Sequence, residues 1–88
     1  MTRLRRTAGV SETAVEGDLY LVHPASQEIY HLDAMATALW RLLAEPQREA
    51  DLIAAFAEGF PAIEHARLAG DITGAVETLL RQGLIGRD

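Results

Sequence analysis

The 88-residue chain has no cysteine and no lysine, and only three prolines, one tryptophan, two tyrosines and two phenylalanines. Without cysteine it can build neither a disulfide framework nor a thiolate metal site, a composition that fits a reducing compartment. No apolar run approaches the roughly 20 residues of a membrane span. The opening "MTRLRRTAGV" also lacks the apolar core of a signal peptide. The expectation is a soluble, cytoplasmic protein with no membrane partner. Phosphate-binding glycine loops are missing too: "GDITG" lies inside a helical pattern and follows no strand. The histidines are His23, His31 and His65. In a strand, His31 and Asp33 would share a face as a possible ligand pair, but Asp33 has a capping role and no third ligand is marked. With no nucleophile or supported acid–base pair either, the expectation is a protein that is not an enzyme and holds no metal or cofactor.

What remains is an ordinary single domain, 49% hydrophobic and 24% charged. A chain of this size buries roughly 60 to 70% of its unfolded surface, so it has one core and little spare stability. The net charge is −5; Arg3, Arg5 and Arg6 fall in the first six residues, which leaves −8 on residues 7–88. A body that acidic repels phosphate backbones, so no nucleic-acid partner is expected.

Residues 1–9 read as a flexible basic N-terminal arm, and 10–88 as one folded domain. "VSETAVEGDLYLVHP" reads as two strands, about 10–15 and 19–22, around a turn at Glu16-Gly17-Asp18 where glycine is free to take positive φ. Pro24 ends the second strand, since it cannot donate to a ladder. "EIYHL" (28–32) is a third strand, alternating Ile29 and His31 against Tyr30 and Leu32. Asp33 is a suitable N-cap for a helix over 34–44 with Met35, Leu39, Leu42 and Leu43 at apolar spacing. A second helix covers about 48–59. A third, 64–82, carries Leu68, Ile72, Val76, Leu79 and Leu80 on one face, with Gly83 as the residue just past its end. Strands followed by helices argue α+β: a three-stranded antiparallel meander and then three helices, in a winged-helix-like arrangement.

Some residues keep two readings at this point. Trp40 is a core anchor or lines an aromatic pocket. Tyr30 makes a core or a partner contact. Gly70 and Gly74 each cost a helix about 1 kcal/mol relative to alanine. They mark either close packing or a late, irregular helix start, or else a smooth face that lets another backbone approach.

The string "DLYLVHPASQEIYHLDAMATALWRLL", then "FP" and "DITGAVETLLRQGLI", resembles the PqqD-like family. These are the peptide chaperones of pyrroloquinoline-quinone biosynthesis and the related RiPP recognition elements. The matching positions are Tyr20 to Val22, Tyr30 to Asp33, Leu39 to Leu43, Asp71, and Leu79 to Ile85, over roughly residues 10–86. Asp33 stands where many relatives carry asparagine, and Pro46 where a glycine turn is common. The resemblance implies three strands and three helices that bind the leader segment of a ribosomally made precursor peptide. It implies that the leader adds beside the third strand, in a groove closed by the third helix. The core segment would then be presented to a modifying enzyme: a radical SAM maturase, a cyclodehydratase or a leader peptidase.

Carried onto this sequence, the peptide-binding set is Glu28, Ile29, Tyr30, His31 and Leu32 on the strand, with Asp71, Ala75, Thr78 and Leu79 on the helix. A meander in order 1-2-3 leaves its third strand at an edge, with N–H and C=O groups to offer a peptide. Asp71 is read either as an acceptor for the peptide or as an ordinary cap or surface residue. The alternative function is a winged-helix DNA-binding regulator. Its recognition helix should be basic, yet residues 64–82 set Glu64, Asp71 and Glu77 against Arg67 and Arg81. Elemental analysis of protein purified without chelator is expected to find substoichiometric zinc and iron. A stoichiometric metal that survives dialysis would contradict the reading.

Overall fold

A computed structural model describes residues 2–88. Its elements are β1 (Leu4–Arg6), β2 (Ser11–Val15), β3 (Asp18–Val22), β4 (Ile29–Leu32), α1 (Ala34–Leu42), α2 (Glu49–Gly59), α3 (His65–Arg81) and β5 (Ile85–Arg87). The α+β meander of three strands followed by three helices is present as β2-β3-β4 and α1 to α3. Two short strands that the sequence reading did not contain bracket it.

Local chemistry explains the meander. Glu16 and Gly17 both take positive φ, 51° and 88°, the two-residue turn whose twist matches a hairpin. Asp18 therefore belongs to β3, paired with Val15, rather than to the turn. On the other side of β3, Leu19 faces Leu32 and Leu21 faces Tyr30. Leu19, Leu21 and Leu32 are buried, whereas Ile29 and His31 alternate to the exposed face.

The helices begin and end on identifiable groups. Ala36 N donates to Asp33 Oδ1 at 2.8 Å, the cap read from the sequence. At the far end of α3, Leu84 N donates to Leu79 O and Gly83 N to Leu80 O, with Gly83 at φ 72°. That is the double bond of a Schellman C-cap. A Cβ at Gly83 would lie 3.1 Å from His23 Nε2, so a larger residue there would meet a strained φ and also have to displace the His23 ring slightly.

The core joins Leu39, Trp40 and Leu43 of α1 and its end, Leu52 and Phe56 of α2, and Leu68, Ile72, Val76 and Leu79 of α3 to the inward leucines of the sheet. Trp40 is thus a core anchor, 1% exposed. Its indole Nε1 donates to Glu12 Oε2 of β2 at 2.9 Å. The guanidinium carbon of Arg6 lies 4.3 Å from the ring centroid, and Arg6 Nε donates to Trp40 O at 3.1 Å. Arg6 also pairs with Glu12 at 3.2 Å. The last four carbonyls of α1 have no partners within the helix. Here Leu39 O and Arg41 O accept from Leu43 N and Ala44 N, Trp40 O from Arg6, and Leu42 O from the Gln47 side chain.

The expectation of a flexible arm over residues 1–9 does not describe Leu4–Arg6. These residues pair antiparallel with Ile85–Arg87, and Leu4 also exchanges two backbone bonds with Gln47. Leu4 is 1% exposed. Beyond the strand, Thr7 N donates to Leu84 O and Asp88 N to Arg3 O, while Arg5 pairs with Asp88 at 2.7 Å. The basic residues act as local partners of the C-terminal end and of Trp40, so residues 4–6 belong to the folded body. Met1 of the expected arm lies outside the described residues.

Trp40→Ala is expected to cost about 3 to 5 kcal/mol, a large share of the stability of so small a domain. Thermal unfolding checks this. Arg6→Ala should destabilise by less, and a double-mutant cycle with Glu12→Ala should show coupling, because the two side chains meet on the same indole.

Candidate binding groove

β4 is the outer strand of the three-stranded sheet, with β3 on one side only. His23 N donates to Glu28 O, which marks that pair as hydrogen-bonded. By the alternation of antiparallel ladders, Tyr30 and Leu32 then bond to β3. Ile29 and His31 turn their N–H and C=O groups to the open side. The expected strand residues thus divide into two sets. Tyr30 and Leu32 face the core, while Ile29 (68% exposed) and His31 hold the edge.

Beside the C-terminal half of β4 lies a cleft of about 490 Å³. Its walls are His31, Leu32 and Asp33; Met35 and Ala36 from the start of α1; and Asp71, Gly74, Ala75, Thr78, Leu79 and Gln82 from α3. The structure therefore brings His31, Leu32, Asp71, Ala75, Thr78 and Leu79 of the expected set to one cleft. Glu28, Ile29 and Tyr30 do not line it; they lie further along the strand. Since Gly83 abuts His23 at the entry to β4, α3 runs opposite to β4. Asp71 and Asp33 consequently share one end of the groove, and Gln82 lies toward the other.

Sequence reasoning missed Asp33, Met35, Ala36 and Gln82 as groove residues. Asp33 and Met35 had been assigned whole to capping and to the apolar face, and Gln82 carries no local signal. Gly74 had a signal, its cost within a helix. A Cβ built at Gly70 or at Gly74 meets nothing within 4 Å, so close packing explains neither glycine. Gly74 lines the cleft, where the missing side chain leaves open space.

The polar side chains of the edge have settled local roles. His31 Nε2 sits 3.3 Å from Asp18 Oδ1, and its ring lies 5.1 Å from that of Tyr20. His31 thus turns to a cross-strand carboxylate rather than joining Asp33 as a ligand pair. Tyr30 is half-buried and packs against the core. Its phenol is raised above the usual tyrosine range, first by desolvation and then by hydrogen bonding and charge repulsion from Glu28. Asp71 is exposed and makes no hydrogen bond or ion pair among the described residues. Among those residues, no group of three His, Cys, Asp or Glu side chains could hold a metal, and no helix is long and apolar enough to cross a membrane.

The fold and the groove define a class: a small α+β domain with an open strand edge running beside a helix that puts Gly74 and Ala75 on the groove wall. Within that class, the chain belongs to the PqqD family. The family model described as coenzyme PQQ synthesis protein D matches residues 18–85. Among solved structures, the chain is similar to TbiB1 in complex with the TbiA(beta) leader peptide. The TM-score is 0.80 at 18% identity, over 92% of this chain and 93% of that one. No curated protein matches the sequence. At that identity the structural likeness shows the shared fold, and β1 and β5 lie within or beside what the family model omits.

Glu28→Gln is expected to lower the Tyr30 phenol toward the usual range, because two of the three influences that raise it come from that carboxylate. A raised folded-state value favours the neutral phenol. The contribution to stability is therefore complete below the unfolded-state value and is lost as pH rises through the folded one. Spectrophotometric titration of the wild type and Glu28→Gln at alkaline pH reads the difference directly.

Proposed function

We propose that the protein is a non-enzymatic, cytoplasmic binding module. It captures the leader segment of a ribosomally made precursor peptide by strand addition along β4, closed by α3, and presents the peptide to a modifying enzyme. That enzyme is a radical SAM maturase, a cyclodehydratase or a leader peptidase. The observation that carries the reading is the open edge at Ile29 and His31 beside a helix with Gly74 and Ala75 on its groove wall. Main-chain bonds to an edge supply affinity that tolerates sequence change, and side-chain pockets supply choice. Membership of the PqqD family supports it, as does the likeness to a protein solved with a leader peptide. The peptide-binding residues on this reading are Glu28 to Leu32 on the strand side and Asp71, Ala75, Thr78 and Leu79 on α3, joined by Gly74. So small an interface suggests a dissociation constant of roughly micromolar, about −8 kcal/mol. The DNA-binding alternative gains nothing from the groove wall, where α3 places Asp71 and no basic residue.

An amide-shift titration with a cognate leader peptide is expected to move residues 29–32 and 71–82. Shifts confined to β2 or α2 would refute the placement. Ile29→Pro is a sharper test. It removes an edge donor while leaving the β3 ladder intact, at the first residue of an edge strand, where proline is tolerated. It should weaken binding at least about tenfold, equivalent to about 1.4 kcal/mol, with Ile29→Ala much closer to wild type.

A further inference from the structure

Asp33 and Asp71 line the cleft from opposite walls, and no lysine or arginine lines it with them. Asp33 Oδ1 accepts from Ala36 N, which leaves its other oxygen free, while Asp71 has no partner among the described residues. Two arginines of α3 lie near the cleft, and neither makes an ion pair with Asp33 or Asp71. Arg81 donates to Thr78 Oγ1 of the cleft wall at 3.2 Å, nearer the Gln82 end of the groove, and does not itself line the cleft. Arg67 lies in the adjoining depression together with Glu64 and Asp71, which leaves that depression acidic as well. Met35 and Asp71 line both depressions, so the second adjoins the first past the end of β4, with Ile63 and Leu68 as its apolar wall. The arginines of β1 are taken up by Asp88, Glu12 and Trp40.

We propose that the segment taken up beside β4 carries a lysine or arginine where it passes the C-terminal end of the strand. This side chain is held between Asp33 and Asp71, and an apolar residue follows it onto Met35 and Ile63. The proposal rests on the strand-addition reading and names the peptide chemistry that reading leaves open. A cation there meets two carboxylates that line the cleft from opposite walls. A glutamate would add a third negative charge, so discrimination comes from repulsion as well as attraction. A long flexible side chain is favoured over a short one, because the missing side chain at Gly74 leaves room for its stem.

The test is selection from a displayed library of random dodecapeptides against the wild-type protein and against the Asp33→Asn/Asp71→Asn double variant. Asparagine at position 33 keeps the helix cap, so the variant should fold. Peptides selected by the wild type should place Lys or Arg at one fixed position flanked by apolar residues. In the strongest peptide, made synthetically, changing that residue to Glu should weaken binding about thirtyfold. On the double variant the same change should matter less than about threefold, and on the wild type the preference should shrink as salt rises from 50 to 500 mM. Selected peptides that shift β4 and α3 amides yet share no cation would overturn the inference and leave strand addition standing, as would a preference unchanged in the double variant. Peptides that shift other surfaces, or failure to select any, would overturn strand addition itself.

Discussion

The indole of Trp40 is the contact on which the rest of the arrangement depends. A buried tryptophan stabilises a small core by its area, but its N–H and its helix-end carbonyl also need partners. Both are supplied from outside the helix, the first by Glu12 of β2 and the second by Arg6 of β1. All five residues of β2 are exposed, so this strand has little apolar surface with which to hold itself against the helices. The Glu12–Trp40 bond, reinforced by Arg6 over the ring, fixes the sheet from one side. Leu19, Leu21 and Leu32 fix it from the other.

With the sheet held that way, β4 does not need a further neighbour. Its inward residues are satisfied by the core and its inward backbone groups by β3, which leaves only its outer side uncommitted. The same economy holds on α3. Leu68, Ile72, Val76 and Leu79 are the buried residues of that helix, and apart from Leu79, which serves both, its residues at the cleft are small or polar. Stability and the open groove therefore draw on largely different residues of the same two elements, with Leu32 and Leu79 shared, and a substitution at Gly74 or Asp71 need not threaten the core.

The meander and the three helices were legible because their signals are local. Period-two alternation in "EIYHL", glycine at Gly17 and Gly83, an acid at Asp33 and apolar spacing in α3 each act within a few residues. β1 and β5 were not legible, since "LRR" and "IGR" are three residues long and carry no periodicity. Only their pairing with each other, and with Gln47, makes them strands. For the groove, the residue types on α3 could be read, but the set at the start of α1 could not. Asp33 and Met35 have roles within their own element that account for them fully. What places them in the cleft is the direction of α3 across the sheet, a relation between distant segments. Gly70 and Gly74 look alike in sequence, yet only Gly74 lines the cleft.

The pairing of β1 with β5 also has a kinetic consequence. It joins positions about 80 residues apart, and closing a loop of that length costs roughly 4 kcal/mol of chain entropy before any bond is made. The hairpins β2-β3 and β3-β4 close over a handful of residues and form on the microsecond scale. On these scales Leu4 is expected to dock onto a body already assembled from local contacts, with the β1–β5 pairing closing the folding reaction rather than nucleating it.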